Sequence, residues 1–175
     1  MKSISFFLLL LVQTLIGHSQ DNYQYFKAAG FKVKCGCQLK VNNTFIQMGK
    51  QQGQNNILAA YVCSENSDDP ETGVIININI NDLSSSYAGI SPSKYTYFEK
   101  SYLEQYAKQL AANGMTYNYG TFKGITSLEY KFDQMGLPTK AMIFLKDKKS
   151  YLLQVGTRQN LNSKYSSLKL TFDFY

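Results

Sequence analysis

The sequence predicts an α+β fold: a mainly antiparallel β-sheet with helices packed on its two faces. Three observations carry that reading. Phe98, Tyr102, Tyr106 and Leu110 recur at four-residue steps, with Leu103 and Ala107 beside them, which is an apolar stripe at helical period. Several other stretches alternate apolar and polar residues with the period of two that a half-buried strand requires. A second helical pattern, Leu161, Tyr165, Leu168 and Phe172, lies near the C-terminus. The helices do not interleave with every strand, so segregated α+β fits better than a doubly wound parallel arrangement.

Residues 1–19 read as a secretory signal peptide. Lys2 supplies a basic start, Ile4 to Val12 is an apolar run broken only by Ser5, and Gly17 and Ser19 place small residues before a cut after Ser19. The run is too short for a span of about 20 residues, and no Cys stands at the cut for lipid attachment. The expectation is a secreted or periplasmic protein with no stable membrane insertion after cleavage, residues 20–175 forming one domain. Cleavage removes Lys2, lowering the net charge from +6 to +5, and His18, the only histidine.

The strands follow in order. Asp21 to Lys27, with Tyr23, Tyr25 and Phe26, reads as a first short strand. Phe31 to Val41 alternates strictly: Phe31, Val33, Cys35, Cys37, Leu39 and Val41 on one face, and Lys32, Lys34, Gly36, Gln38 and Lys40 on the other. Thr44 to Gly49 reads as a second arm and Lys50 to Asn56 as a polar turn. Ile57 to Cys63 is apolar on both faces and belongs inside the sheet. Val74 to Asn81 sets Val74, Ile76, Ile78 and Ile80 against Asn77, Asn79 and Asn81, a one-sided strand placed near an edge. After the long Asp82–Ser93 loop, Thr96 and Glu99 have the spacing of a capping box and Asn113-Gly114 that of a helix stop. Tyr117 to Phe122 and Leu128 to Phe132 are strands separated by Lys123-Gly124. Ala141 to Leu145 and Tyr151 to Val155 flank a charged tip, the signature of a hairpin.

This order of elements resembles the PsbP-like fold, that of an extrinsic photosystem II protein and of a Ran-binding release factor. Tyr97 to Gly114, Phe122-Lys123-Gly124 leading into Leu128-Glu129-Tyr130, the Ala141 to Val155 hairpin and Tyr165 to Phe172 carry the likeness. The chain also resembles small secreted proteins of Bacteroidetes-type bacteria in its Asn, Lys and Tyr content. The resemblance implies an α/β/α sandwich used as an accessory or docking subunit. It places no catalytic, metal-binding or Ran-binding residue in this sequence.

Three cysteines in an oxidising compartment allow one intramolecular bridge. On an extended strand Cys35 and Cys37 stand about 6.5–7 Å apart, at or beyond disulfide reach. One of them is therefore expected to pair with Cys63. Cys37–Cys63 is preferred over Cys35–Cys63, leaving Cys35 as the free thiol. A thiolate metal set is the competing reading, but without histidine its fourth ligand would be a carboxylate or water.

The acidic residues from Glu65 to Glu71 crowd a loop without EF-hand spacing, so a solvated turn outweighs a calcium site. Lys32, Lys34 and Lys40 form a candidate basic strip for anionic partners. A single arginine, Arg158, argues against nucleic acid, whose readers use bidentate guanidinium contacts. Among fourteen tyrosines and eleven phenylalanines, Tyr87, Tyr95, Tyr117 and Tyr119 are the candidates for a binding surface.

Without histidine the mature chain has no Ser-His or Cys-His pair. No catalytic residue, metal or cofactor is assigned. The reading is an exported, monomeric, non-enzymatic accessory or binding protein with a protein or glycan partner in the cell envelope. The alternative is a hydrolase of glycans or peptides acting through carboxylates. Glu104 is expected to pair with Lys108, and Glu129 to face solvent.

Overall fold

The computed structural model describes residues 22–174 apart from Ser67, Pro70 and Met135; the signal-peptide reading of residues 1–19 lies outside the described residues. The elements are β1 (Gln24–Phe26), β2 (Phe31–Val33), β3 (Lys40–Val41), α1 (Asn43–Gln51), β4 (Ile57–Glu65), β5 (Val74–Asp82), α2 (Tyr95–Ala112), β6 (Tyr117–Phe122), β7 (Ile125–Gln134), β8 (Leu137–Lys146), β9 (Lys149–Thr157), α3 (Leu161–Thr171) and β10 (Asp173–Phe174). Seven strands form one antiparallel sheet in the order β3-β4-β5-β9-β8-β7-β6, and three form a small sheet, β1-β2-β10.

The large sheet separates two cores. On one face Ile76, Ile78, Met142, Phe144, Leu153 and their neighbours pack under α3 and the small sheet. On the other, Leu128, Tyr130, Ala141, Ile143 and Leu145 pack under α2 through Leu103, Ala107 and Leu110. The α+β class with antiparallel pairing and helices on both faces is thus what the chain forms. The two tightest hairpins use left-handed turns, Lys123-Gly124 (φ 51° and 78°) and Asp147-Lys148 (φ 50° and 59°). Their backbone twist matches that of the strands they join.

Several expectations are corrected. The alternating run Phe31 to Val41 is not one strand. Phe31–Val33 belongs to the small sheet, Lys40–Val41 pairs with β4 in the large one, and the residues between cross from one to the other. The Gln24 side chain holds that crossing: its amide donates to the Cys37 carbonyl at 2.9 Å, and its oxygen accepts from the Leu39 N–H at 2.8 Å. An alternation pattern cannot register a side chain that takes over the backbone's hydrogen bonds.

Thr44 to Gly49 is not a strand but lies in α1, capped by Asn42, whose side chain accepts from the Phe45 N–H at 3.0 Å. An Asn N-cap is a helix-start signal that outweighs the β-branched Thr and Ile following it. β5 is not near an edge. It pairs along its whole length with β4 and β9; alternation reports which face is buried, not which edges of the strand are hydrogen-bonded. In β4 a register shift between Ile57 and Ala59 leaves Leu58 exposed, so the expected two-sided burial is incomplete there. The capping box is absent as well: α2 starts at Tyr95, fed directly from the Pro92–Lys94 turn, with Lys94 at the cap and no side-chain cap bond.

Phe172, just past α3, fastens the two sheets together. Its ring is fully buried, stacks on Phe31 at 5.0 Å and lies 5.4–6.2 Å from Phe122, Phe144, Tyr151 and Phe174. Phe172→Ala is expected to cost about 3–5 kcal/mol, as a large cavity in a packed core does. Leu170→Ala, in the last turn of the same helix but 82% exposed, should change stability by less than about 0.5 kcal/mol. Urea unfolding of the two variants checks the contrast.

Candidate cleft between a helix and the sheet edge

A cleft of about 680 Å³ lies between α2 and the β6–β8 end of the sheet. Leu103, Ile125 and Leu145 form an apolar floor, and Tyr119 stands at the mouth. The rim carries both signs of charge: Glu99, Lys100 and Glu104 from α2, Lys146 and Asp147 from the β8–β9 tip. An apolar pocket with a few placed polar groups is the usual form of a ligand site.

Each rim carboxylate already has a partner. Glu99 accepts a 2.9 Å hydrogen bond from the Tyr87 hydroxyl. Tyr87 is 3% exposed, so its hydroxyl needs an acceptor; burial, then this bond, hold its pKa well above the ordinary tyrosine value. Glu104 lies 3.9 Å from Lys100, not Lys108, and Asp147 lies 3.9 Å from Lys146. Glu104 and Asp147 are well exposed, so these groups make a charged rim rather than a water-excluded acid–base pair.

The four candidate tyrosines do not line one groove. Tyr87 is buried and meets Tyr95 edge-on at 4.8 Å under the start of α2. Tyr117 packs partly against the same core and meets Tyr119 edge-on at 5.9 Å. Tyr119 alone of the four lines the cleft, at 50% exposure. It sits on the edge strand, where no further strand covers it. The sequence marked Tyr119 but missed the floor: Leu103 and Leu145 read simply as core positions, and Ile125 lay outside the strand expected from Leu128.

The basic strip is broken up by the fold. Lys32 and Lys34 lie at 4.9 and 4.4 Å from the centre of the Tyr23 ring, beside the small sheet. Lys40 is on the edge of the large sheet. The acidic loop is occupied internally: Asp69 accepts from Thr72 Oγ1 at 2.6 Å and from the Glu71 N–H at 2.9 Å, while Glu71 holds Arg158 at 2.9 Å. No group of three potential metal-ligating side chains occurs among the described residues.

Cys37 and Cys63 form a disulfide with a Cα–Cα distance of 5.7 Å, tying the crossing segment to β4. Cys35 remains a thiol. It accepts from the Gln24 amide at 3.3 Å and donates to the Cys37 carbonyl at 3.4 Å. Burial pushes its pKa up to about 11, against the pull of Gln24 and with a small push from Glu65. A thiol raised in this way is mostly protonated at neutral pH and is a poor nucleophile. Its alkylation by iodoacetamide is expected to be slow at pH 7.5. The rate should keep rising about tenfold per pH unit through pH 9–10, where an ordinary thiol of pKa near 8.5 has levelled off. Mass spectrometry of Cys35 peptides follows it.

No protein-family model matches the chain, and no curated protein matches it. Among solved structures it is similar to the solution structure of cyanobacterial PsbP (CyanoP) from Synechocystis sp. PCC 6803. The identity is 10% and the TM-score 0.41, over 87% of this chain and 91% of that one. No residue role is carried from one chain to the other at that identity.

Proposed function

We propose that the protein is an exported, non-catalytic binding domain that takes a short stretch of glycan or peptide from an envelope partner into the α2 cleft. The observation that carries this reading is the cleft itself: apolar at its floor, mixed in charge at its rim, with a half-exposed tyrosine ring at its mouth. Sugar faces and peptide side chains stack on such rings, because an aromatic edge supplies contact area with little side-chain entropy to lose. Export is supported by the leader-like residues 1–19 and by a disulfide, which belongs to oxidising compartments.

The hydrolase alternative gains three carboxylates in one cleft, but each is tied to a tyrosine or lysine partner. Binding therefore explains the site with fewer requirements than catalysis does.

Ligand-observed and ¹⁵N-resolved NMR against panels of short oligosaccharides and peptides tests the proposal. A binder is expected to shift Glu99, Leu103, Tyr119, Thr126 and Leu145. Tyr119→Ala should weaken it about tenfold, the value of one lost stacking contact of 1–1.5 kcal/mol. Binders that leave these resonances unmoved would place the working surface elsewhere. Release of cleaved product during the titration would favour the hydrolase.

A further inference from the structure

The opposite face of the sheet carries a second, polar groove of about 440 Å³ beside α3. Its floor is set by strand register. Lys131 of β7 lies directly opposite Lys140 of β8, and one repeat further along, Asn118 of β6 lies opposite Glu129 of β7. All four line the groove.

The lysine pair on this floor is unfavourable without a ligand. Like charges directly opposite each other on neighbouring strands destabilise a sheet, and among the described residues neither Lys131 nor Lys140 has a carboxylate within ion-pair distance. Lys140 spends one donor on Asn162 Oδ1 at 3.0 Å and lies 4.9 Å from the centre of the Tyr165 ring. One buried hydroxyl on this same face, Ser127 Oγ, has no hydrogen-bond partner among the described residues. Burial, then the charge of Glu129 and a hydrogen bond to it, hold the Tyr165 hydroxyl well above the ordinary tyrosine pKa. Ser127 lies opposite Gly120, which also lines the groove and has no side chain to cover it.

Glu129 is not the solvent-facing residue its alternation suggested. Lys169 of α3 pairs with it, and both side chains are about one-quarter exposed. That pair fixes the carboxylate at the groove wall as a hydrogen-bond acceptor.

We propose that this groove binds an acidic sugar residue, a pyranose bearing a carboxylate. Lys131 and Lys140 grip the carboxylate, while Asn118 and Glu129 take ring hydroxyls. The two rows are two residues apart along the strand, about 6.5–7 Å, which suits one sugar ring with its acid group. An acidic peptide side chain would satisfy the lysines but bring no hydroxyl to Glu129. The site lies across the sheet from the α2 cleft and shares with it only Tyr119 of the β6 edge among their lining residues.

Titration of the purified full chain with trigalacturonate, followed by calorimetry and ¹⁵N NMR, tests the assignment. Binding is expected to shift Asn118, Gly120 and Lys131. Lys131→Met and Lys140→Met should each weaken it about tenfold or more, as loss of a charge-assisted hydrogen bond does. Lys131→Met should also leave the melting temperature unchanged or raised, by relieving the lysine pair. Absence of trigalacturonate binding to the native protein would overturn the proposal. So would equal binding of neutral galactotriose, tighter binding of a triglutamate peptide, or unchanged affinity in Lys131→Met.

Discussion

The constraint on which the structure depends is the burial of both faces of the central hairpin. Along β8, Met142 and Phe144 enter one core while Ala141, Ile143 and Leu145 enter the other. A strand of that composition cannot leave either face in water; each buried aliphatic or aromatic side chain contributes about 1.5–3 kcal/mol. Cover is therefore obligatory on both sides. α2 supplies it on one face, and α3 with the small β1-β2-β10 sheet supplies it on the other.

The two covers are attached differently, and the candidate sites follow from that. On the α2 face, Glu99, Lys100 and Glu104 rim a cleft floored by core side chains. α3 is seated through Tyr165, Leu168 and the following Phe172, and it leaves the β6–β8 end of its face open to water. That open end holds the paired lysines. Both concavities thus border the β6–β8 end of the sheet.

Much of the fold was legible in the sequence. The helical stripes of α2 and α3, the Asp147-Lys148 hairpin and the isoleucine face of β5 all announce themselves by period, because burial on one face leaves a periodic trace. The errors have particular causes. The Phe31 to Val41 alternation was real but shared between two sheets, with Gln24 bridging the crossing. α1 was hidden because it is only nine residues long and its β-branched Thr44 and Ile46 read equally well as strand, while the Asn42 cap that starts it was not recognised. Glu129 alternated as a wet residue, yet the α3 lysine that half-buries it lies 40 positions away.

The candidate sites were less legible than the fold. By itself the sequence determined an α+β chain, a histidine-poor chemistry, three cysteines of which two could pair, and which tyrosines stood outside a clear core pattern. Those properties depend on composition and local period, which need no partner in space. Only the tertiary structure decided that Cys37 rather than Cys35 reaches Cys63, that Tyr87 is spent holding Glu99, and that Lys131 faces Lys140. Each of these joins residues on separate elements, and strand register together with the seating of the helices sets their distances.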